Sequence, residues 1–214
     1  MSKRYSELFG RFVAVNRVLL AFALVATVGL ANTASAAGEA TPSQEAKPQL
    51  PTEKQTTLGL YVTAREAYEK WKAAPEKVTI LDVRTPEEFI FVGHADMAWN
   101  IPVAAQTYKW DAGKKEFPMQ PLPDFVSRVQ KVAKSDDTLL VMCRSGGRSA
   151  LAVNALGRAG FKNVFNITDG MEGDVVKDSD SVFDGQRLVN GWKNSGLPWT
   201  YHVDPIRMVL PSER

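Results

Sequence analysis

Residues 139–153 read LLVMCRSGGRSALAV, an apolar run followed by a cysteine, a glycine pair between two arginines, and a helix-forming run. With Thr138 in front, TLLVMC has the continuous apolar character of a central strand that is buried on both faces of a parallel sheet. Open α/β sheets place their ligand sites at the carboxyl ends of their strands. The segment therefore predicts a central strand that delivers Cys143, the chain's single cysteine, to such a site.

Outside that segment, short β-rich runs alternate with helical runs. Strands are predicted over residues 58–62, 77–83, 98–103, 138–143 and 163–168. Helices are predicted over residues 63–74, 85–91, 124–134, 148–160 and 185–196, and the first two begin with the capping boxes Thr63–Glu66 and Thr85–Glu88. The alternation predicts an α/β fold, a three-layer sandwich whose central parallel sheet of about five strands carries helices on both faces.

The first 36 residues have the pattern of a secretory signal peptide. Four basic residues precede an uncharged apolar run at residues 18–31, and Ala34-Ser35-Ala36 supplies a small-residue cleavage site. The run is shorter than the roughly 20 residues of a spanning helix. We therefore expect cleavage after Ala36, a periplasmic or secreted protein and no stable membrane insertion afterwards; an uncleaved membrane anchor is the alternative.

Composition divides the remaining chain into three parts. Residues 37–57 contain three prolines and little aromatic content, and are predicted to be a flexible linker or N-terminal arm. Residues 58–200 form the predicted domain, and residues 201–214 form a C-terminal tail.

The formal net charge of +2, with scattered lysines and arginines, argues against a nucleic-acid partner.

The glycine pair after Cys143 indicates chemistry at this thiol. Gly146 and Gly147 allow a tight turn into the next helix, and such a turn directs backbone N–H groups inward. Together with the positive end of the helix, these groups stabilise an anion, and Arg144 and Arg148 add positive charge. The anion present without any ligand is the thiolate of Cys143. The alternative interpretation is a small buried hydrophobe at the end of a core strand.

Four segments carry a resemblance to a known family: ILDVRTPEEF, GHADMAWNIP, VMCRSGGRSALAVNALGRAGFKNVFNITDGM and NGWKNSGLPW. Together they resemble the rhodanese (sulfurtransferase) domain over about residues 58–199, in a single-domain exported form. The resemblance implies that Cys143 accepts sulfane sulfur from a thiosulfate-like anion and carries it as a persulfide. It implies that the loop Arg144, Ser145, Gly146, Gly147 and Arg148 binds the sulfur and the anionic donor. The acceptor would be a thiol, cyanide or an exported protein.

No metal or organic cofactor is expected, because one cysteine and the widely spaced His94 and His202 form no metal-binding pattern. A phosphatase on the same fold is disfavoured, since only four residues separate Cys143 from Arg148 and that family has five. A persulfide carrier or a partner-binding module without catalysis stays open. Arg84 is expected to pair with Glu87 or Glu88 and thus to be structural.

Two long segments, residues 104–123 and 172–187, depart from a minimal rhodanese domain. Both follow predicted strands, so in a parallel sheet both should emerge at the edge that holds Cys143. We expect them to form a rim that selects the donor or the acceptor; the alternative is that they are ordinary surface loops.

Overall fold

The computed structural model describes residues 50–211. The predicted signal peptide and its cleavage site lie outside this range. In chain order, the elements are β1 (Tyr61–Val62), α1 (Ala64–Ala73), β2 (Val78–Asp82), α2 (Pro86–Phe91), β3 (Trp99–Asn100), β4 (Ala104–Gln106), β5 (Met119–Pro121), α3 (Phe125–Val129), β6 (Thr138–Met142), α4 (Gly147–Arg158) and β7 (Val164–Ile167). Two short 3-10 turns, Thr52–Lys54 and Pro205–Arg207, flank them.

Five strands form a parallel sheet in the order β1-β7-β6-β2-β3. Strand β6 lies in the middle, where residues such as Leu139 and Leu140 are fully buried on opposite faces. This position explains the continuous apolar run of TLLVMC, because a strand covered on both sides has no solvent-facing positions. The predicted five-stranded parallel sheet is confirmed.

Two apolar clusters cover the two faces of the sheet. One joins residues of α1 and α2, including Ala67 and Phe89, to Ile80 and Leu140 of the strands. The other joins residues of α3 and α4 to the opposite strand face and includes Cys143. Helices therefore lie on both faces, as the alternating pattern predicted.

Local sequence signals set the starts of the first two helices. The Thr63 side chain accepts the N–H of Glu66 and the Thr85 side chain accepts that of Glu88, and both glutamates bond back to complete capping boxes. Pro86 occupies the first turn of α2, where its missing N–H costs nothing. Both predicted capping boxes are confirmed.

Two predicted helices differ in the structure. Residues 185–196 contain no helix, because Gly185 and Gly191 adopt positive φ angles and the segment runs through turns. The predicted helix over 124–134 is regular only as α3, Phe125–Val129, and continues as turns. Within residues 50–211, no helix has the length and apolar character needed to cross a bilayer.

The described ends of the chain pack on the domain. In the segment predicted as a flexible arm, the N–H of Thr57 bonds Asn154 of α4 at 2.8 Å. In the segment predicted as a tail, the N–H of Val209 bonds the Asn100 carbonyl of β3 at 2.9 Å. Residues 50–57 and 204–209 therefore belong to the packed structure.

Candidate active site

Cys143 lies directly after the central strand β6, at the carboxyl edge of the sheet. It is only 1% exposed and packs in the apolar cluster with Val141 and Val153. Its Sγ accepts the backbone N–H of Gly146 at 3.2 Å and faces the Ser149 hydroxyl at 3.4 Å. Two hydrogen-bond donors therefore converge on this sulfur. A cysteine that served only as an apolar packing residue would not require them.

Ser149 was missed by the sequence reasoning. It is fully buried in α4, six positions after Cys143, and its hydroxyl points to the sulfur. The available signal was a hydroxyl residue in the first turn of a helix that begins at the cysteine loop.

The two loop glycines have different roles. Gly146 precedes α4 with φ +102°, and a Cβ there would overlap the carbonyl of Thr168. Gly147 has no positive φ, and a Cβ there would meet only the Glu53 carbonyl oxygen at 3.8 Å. Gly146 therefore supplies the left-handed backbone that the turn requires, whereas Gly147 is already helical and needs no such conformation.

The carbonyl groups of the loop are bonded on the side away from its N–H groups. The Cys143 carbonyl accepts the N–H of Met171 at 2.8 Å, and the Arg144 carbonyl accepts that of Glu172 at 2.9 Å. Asn166 donates to the Gly146 carbonyl at 3.1 Å. In a trans peptide the next N–H points opposite to the carbonyl, so these bonds fix the directions of the loop N–H groups.

Arg148 forms a two-pronged ion pair with Glu88 of α2, and both N–O distances are 2.6 Å. Burial by itself raises the pKa of Glu88, but the hydrogen bonds and charge of Arg148 outweigh it and leave the pKa below its usual value. Burial also lowers the pKa of Arg148, but Glu88, helped by the nearby Cys143, outweighs this and raises it. The charge of Arg148 is therefore largely matched by Glu88.

Arg144 and Ser145 occupy the surface of the loop. Arg144 is exposed, and it forms no ion pair with any residue in the range 50–211. Ser145 is half-buried and lines a cleft of about 700 Å³ together with Gly147. Arg144 and Arg148 were both predicted to bind the anionic donor. Of the two, only Arg144 has a charge that is not already paired with a described carboxylate.

The cleft has walls from the N-terminal arm and from the second insertion, residues 172–187. Lys54 of the arm and Asp174 of the insertion form an ion pair of 2.9 Å across it. Asp169 also lines it and accepts the N–H groups of Ala64 and Gly191. Burial raises the pKa of Asp169 in spite of these hydrogen bonds.

Both insertions reach the loop. The first, residues 104–123, contains the β4–β5 hairpin, and its Met119 sulfur lies 3.6 Å from Arg148. The second supplies the backbone N–H groups of residues 172 and 173 to the Arg144 carbonyl. Both insertions therefore contact the loop at the edge of the sheet that holds Cys143, as their places in the sequence predicted.

Arg84 does not pair with Glu87 or Glu88, contrary to the sequence expectation. It bonds Asp82 through Nε and Nη2, with a shortest distance of 2.6 Å, and both side chains are fully buried. His94 is also structural, because it stacks on Phe89 and its Nδ1 lies 2.9 Å from the Phe89 carbonyl. Among residues 50–211, no group of three or more His, Cys, Asp or Glu side chains could hold a metal ion.

Fold and site together define a class: a parallel α/β domain in which a loop between the central strand and a helix holds a cysteine sulfur. The family model of the rhodanese-like domain matches residues 63–175. The chain belongs to the rhodanese-like domain family.

The chain is also similar to individual relatives and to a solved structure. The chain is 30% identical over 122 residues to an uncharacterized protein of Rickettsia prowazekii, covering 57% of this chain and 82% of that protein. It is 40% identical over 90 residues to thiosulfate sulfurtransferase 16, chloroplastic, of Arabidopsis thaliana, covering 42% of this chain and 68% of that protein. The crystal structure of Rv0390 from M. tuberculosis superposes with a TM-score of 0.51 at 25% identity, covering 66% of this chain and 96% of that one.

Proposed function

We propose that this protein is a sulfurtransferase that moves sulfane sulfur from a thiosulfate-like anion to a thiophilic acceptor through a persulfide on Cys143. The observation that carries the proposal is the hydrogen bond from the Gly146 N–H to the Cys143 sulfur, in a loop at the start of α4. Thiosulfate sulfurtransferase 16 supports it as a relative.

The first half-reaction forms the persulfide. The Cys143 thiolate attacks the outer sulfur of thiosulfate, the bond between the two donor sulfurs breaks, and sulfite leaves with its electron pair. The Gly146 N–H, the Ser149 hydroxyl and the α4 N-terminus stabilise the anionic sulfur before and after the transfer. Arg144, exposed beside the loop, attracts the anionic donor.

The second half-reaction restores the thiolate. A nucleophile such as cyanide bonds to the outer sulfur of the persulfide, and the sulfur–sulfur bond breaks with its electron pair on Sγ. This is nucleophilic covalent catalysis in two steps, so donor and acceptor need not be bound together. We propose that the protein works as an exported enzyme after removal of residues 1–36.

Intact mass spectrometry tests the covalent step. After incubation with thiosulfate, the protein should gain the mass of one sulfur atom on Cys143, and cyanide should remove it with formation of thiocyanate. Cys143→Ser, a nearly isosteric change, should keep the melting temperature and lose both reactions. A Cys143→Ser variant that turns over at a substantial fraction of the parental rate contradicts the persulfide route, and so does a parental protein that gains no sulfur.

A further inference from the structure

A second depression adjoins the active loop on the outer side of α4. It has a volume of about 510 Å³ and lies between the β4–β5 hairpin, α3 and α4. Its walls are mostly apolar and include Met119, Val126, Leu151 and Ala155. Leu151 is 65% exposed, and together with the neighbouring apolar lining it forms part of a continuous apolar patch. We call this depression the α4 groove.

The α4 groove runs along one face of the helix. Arg148, Leu151, Ala155 and Arg158 line it at spacings of three, four and three residues, which is one stripe of an α-helix. At 1.5 Å rise per residue, the stripe is about 15 Å long. It begins in the turn that follows the Cys143 loop and leads away from it. Any extended occupant would therefore have one end at the site and the other end at Arg158.

The charges of the groove have one sign. Arg148 and Arg158 are the only charged residues of its lining. Arg148 is already paired with Glu88, whereas Arg158 forms no ion pair with any residue described in the structure. The far end of the groove therefore presents an unmatched cation beside apolar surface. Charge complementarity calls for an occupant with an apolar middle and a carboxylate at the far end.

The hairpin extends the apolar surface beyond the groove. Tyr108, Trp110 and Phe117 lie on the first insertion and are at least half exposed, and the Trp110 and Phe117 rings contact each other edge to face. Exposed aromatic side chains of this kind are enriched in protein interfaces. A small donor such as thiosulfate has no use for apolar surface of this extent.

We propose that the α4 groove docks a polypeptide acceptor, so that a cysteine of the acceptor meets the Cys143 persulfide. An extended chain advances about 3.3 Å per residue, so a stripe of about 15 Å spans four to five residues. The recognised segment has its cysteine at the loop, apolar residues over Leu151, and an Asp or Glu four to five positions from the cysteine, facing Arg158. This inference rests on the proposed function, since it names the acceptor of the same site.

The transfer step balances without an additional reagent. The acceptor sulfur bonds to the outer sulfur of the Cys143 persulfide anion. The sulfur–sulfur bond to Sγ breaks with its electron pair on Sγ, which becomes the thiolate. The acceptor thiol's proton ends on the new acceptor persulfide. No oxidation state changes in total, because one persulfide replaces another.

Binding can be measured separately from chemistry. A fluorescent peptide of seven residues, with Ser in place of Cys, apolar residues in the middle and Glu five positions away, cannot react with the protein. Fluorescence anisotropy should show that Leu151→Ser and Arg158→Glu each weaken its binding by on the order of fivefold. The peptide with Lys in place of Glu should bind the parental protein more weakly and should bind Arg158→Glu better than the Glu peptide does. Ile206→Ser, an exposed apolar residue of the C-terminal segment, and Lys72→Glu, on the opposite face of the sheet, are the matched controls and should change nothing.

Rates of sulfur transfer then distinguish the docking proposal from the proposed sulfurtransferase function. With the Cys form of the peptide, Leu151→Ser and Arg158→Glu should slow sulfur transfer to the peptide while keeping the rate with thiosulfate and cyanide. Equal peptide binding by all variants overturns the docking proposal, and so does an unchanged Glu-over-Lys preference in Arg158→Glu. If Leu151→Ser and Arg158→Glu lose activity only when a small aromatic thiosulfonate is the sulfur donor, the docking proposal is also overturned, since the groove would then bind the donor. Failure of Cys143 to gain sulfur from thiosulfate would instead overturn the proposed function, whatever the anisotropy shows.

Discussion

Replacing Gly146 by alanine separates the effect of loop backbone shape from that of side-chain charge. Gly146 has φ +102°, and its N–H is the backbone donor to the Cys143 sulfur. An L-residue in a left-handed conformation costs about 1–2 kcal/mol, and overpacking against the Thr168 carbonyl adds about 1–3 kcal/mol. We expect Gly146→Ala to destabilise the fold by about 2–5 kcal/mol, which lowers the melting temperature by at least about 4 °C for a chain of this size.

The same substitution should slow sulfur transfer. A hydrogen bond to a charged group contributes about 1.5–3 kcal/mol. Moving the Gly146 N–H away from Sγ should therefore reduce turnover with thiosulfate and cyanide by about 10- to 100-fold, at about 1.4 kcal/mol per tenfold change. The assay is thiocyanate formation, at a temperature well below the melting point of the variant, so that unfolding does not contribute.

Gly147→Ala is the matched control. Gly147 begins α4 without positive φ, and an added methyl group would meet only the Glu53 carbonyl oxygen at 3.8 Å. Alanine favours helix over glycine by up to about 1 kcal/mol, so stability should be unchanged or slightly higher, and turnover should stay near the parental rate. Equal losses in the two variants, or parental turnover in Gly146→Ala, would refute the assignment of the sulfur cradle to the Gly146 backbone.

Three further results are expected. Glu88→Gln leaves the half-buried Arg148 without its carboxylate and should lower the free energy of unfolding at pH 7 by about 1–3 kcal/mol in urea titrations. Because the folded pKa of Glu88 lies below its unfolded value of about 4.3, the stabilisation is fully present above that value and is lost as pH falls through the folded pKa. The difference between the parental and variant free energies of unfolding should therefore shrink in acid, and a difference that is constant with pH would contradict the ion-pair account. Arg144→Gln should weaken thiosulfate use and reduce its salt dependence, whereas unaltered salt dependence would show that Arg144 does not attract the donor. N-terminal sequencing of the exported protein should begin at Ala37, and retention of residues 1–36 would contradict the signal-peptide prediction.

The sheet and the location of the thiol could be predicted because they depend on local patterns. The apolar run of β6 requires burial on both faces, and a cysteine after such a strand must lie at the ligand edge of the sheet. The capping boxes at Thr63 and Thr85 depend only on residues three positions apart. The helix expected over residues 185–196 failed because its glycines adopt turn conformations set by distant partners, such as Asp169 for the Gly191 N–H.

By itself, the sequence determined the α/β class, the central strand and the loop that follows Cys143, since these follow from hydrophobic period, glycine positions and residues close along the chain. Only the tertiary structure decided which charges meet. Arg148 pairs with Glu88, sixty positions away, whereas Arg144 in the loop and Arg158 along the α4 groove form no ion pair with any residue described in the structure. Ion pairs depend on a few ångströms between side chains from separate elements, and a linear pattern does not contain that distance.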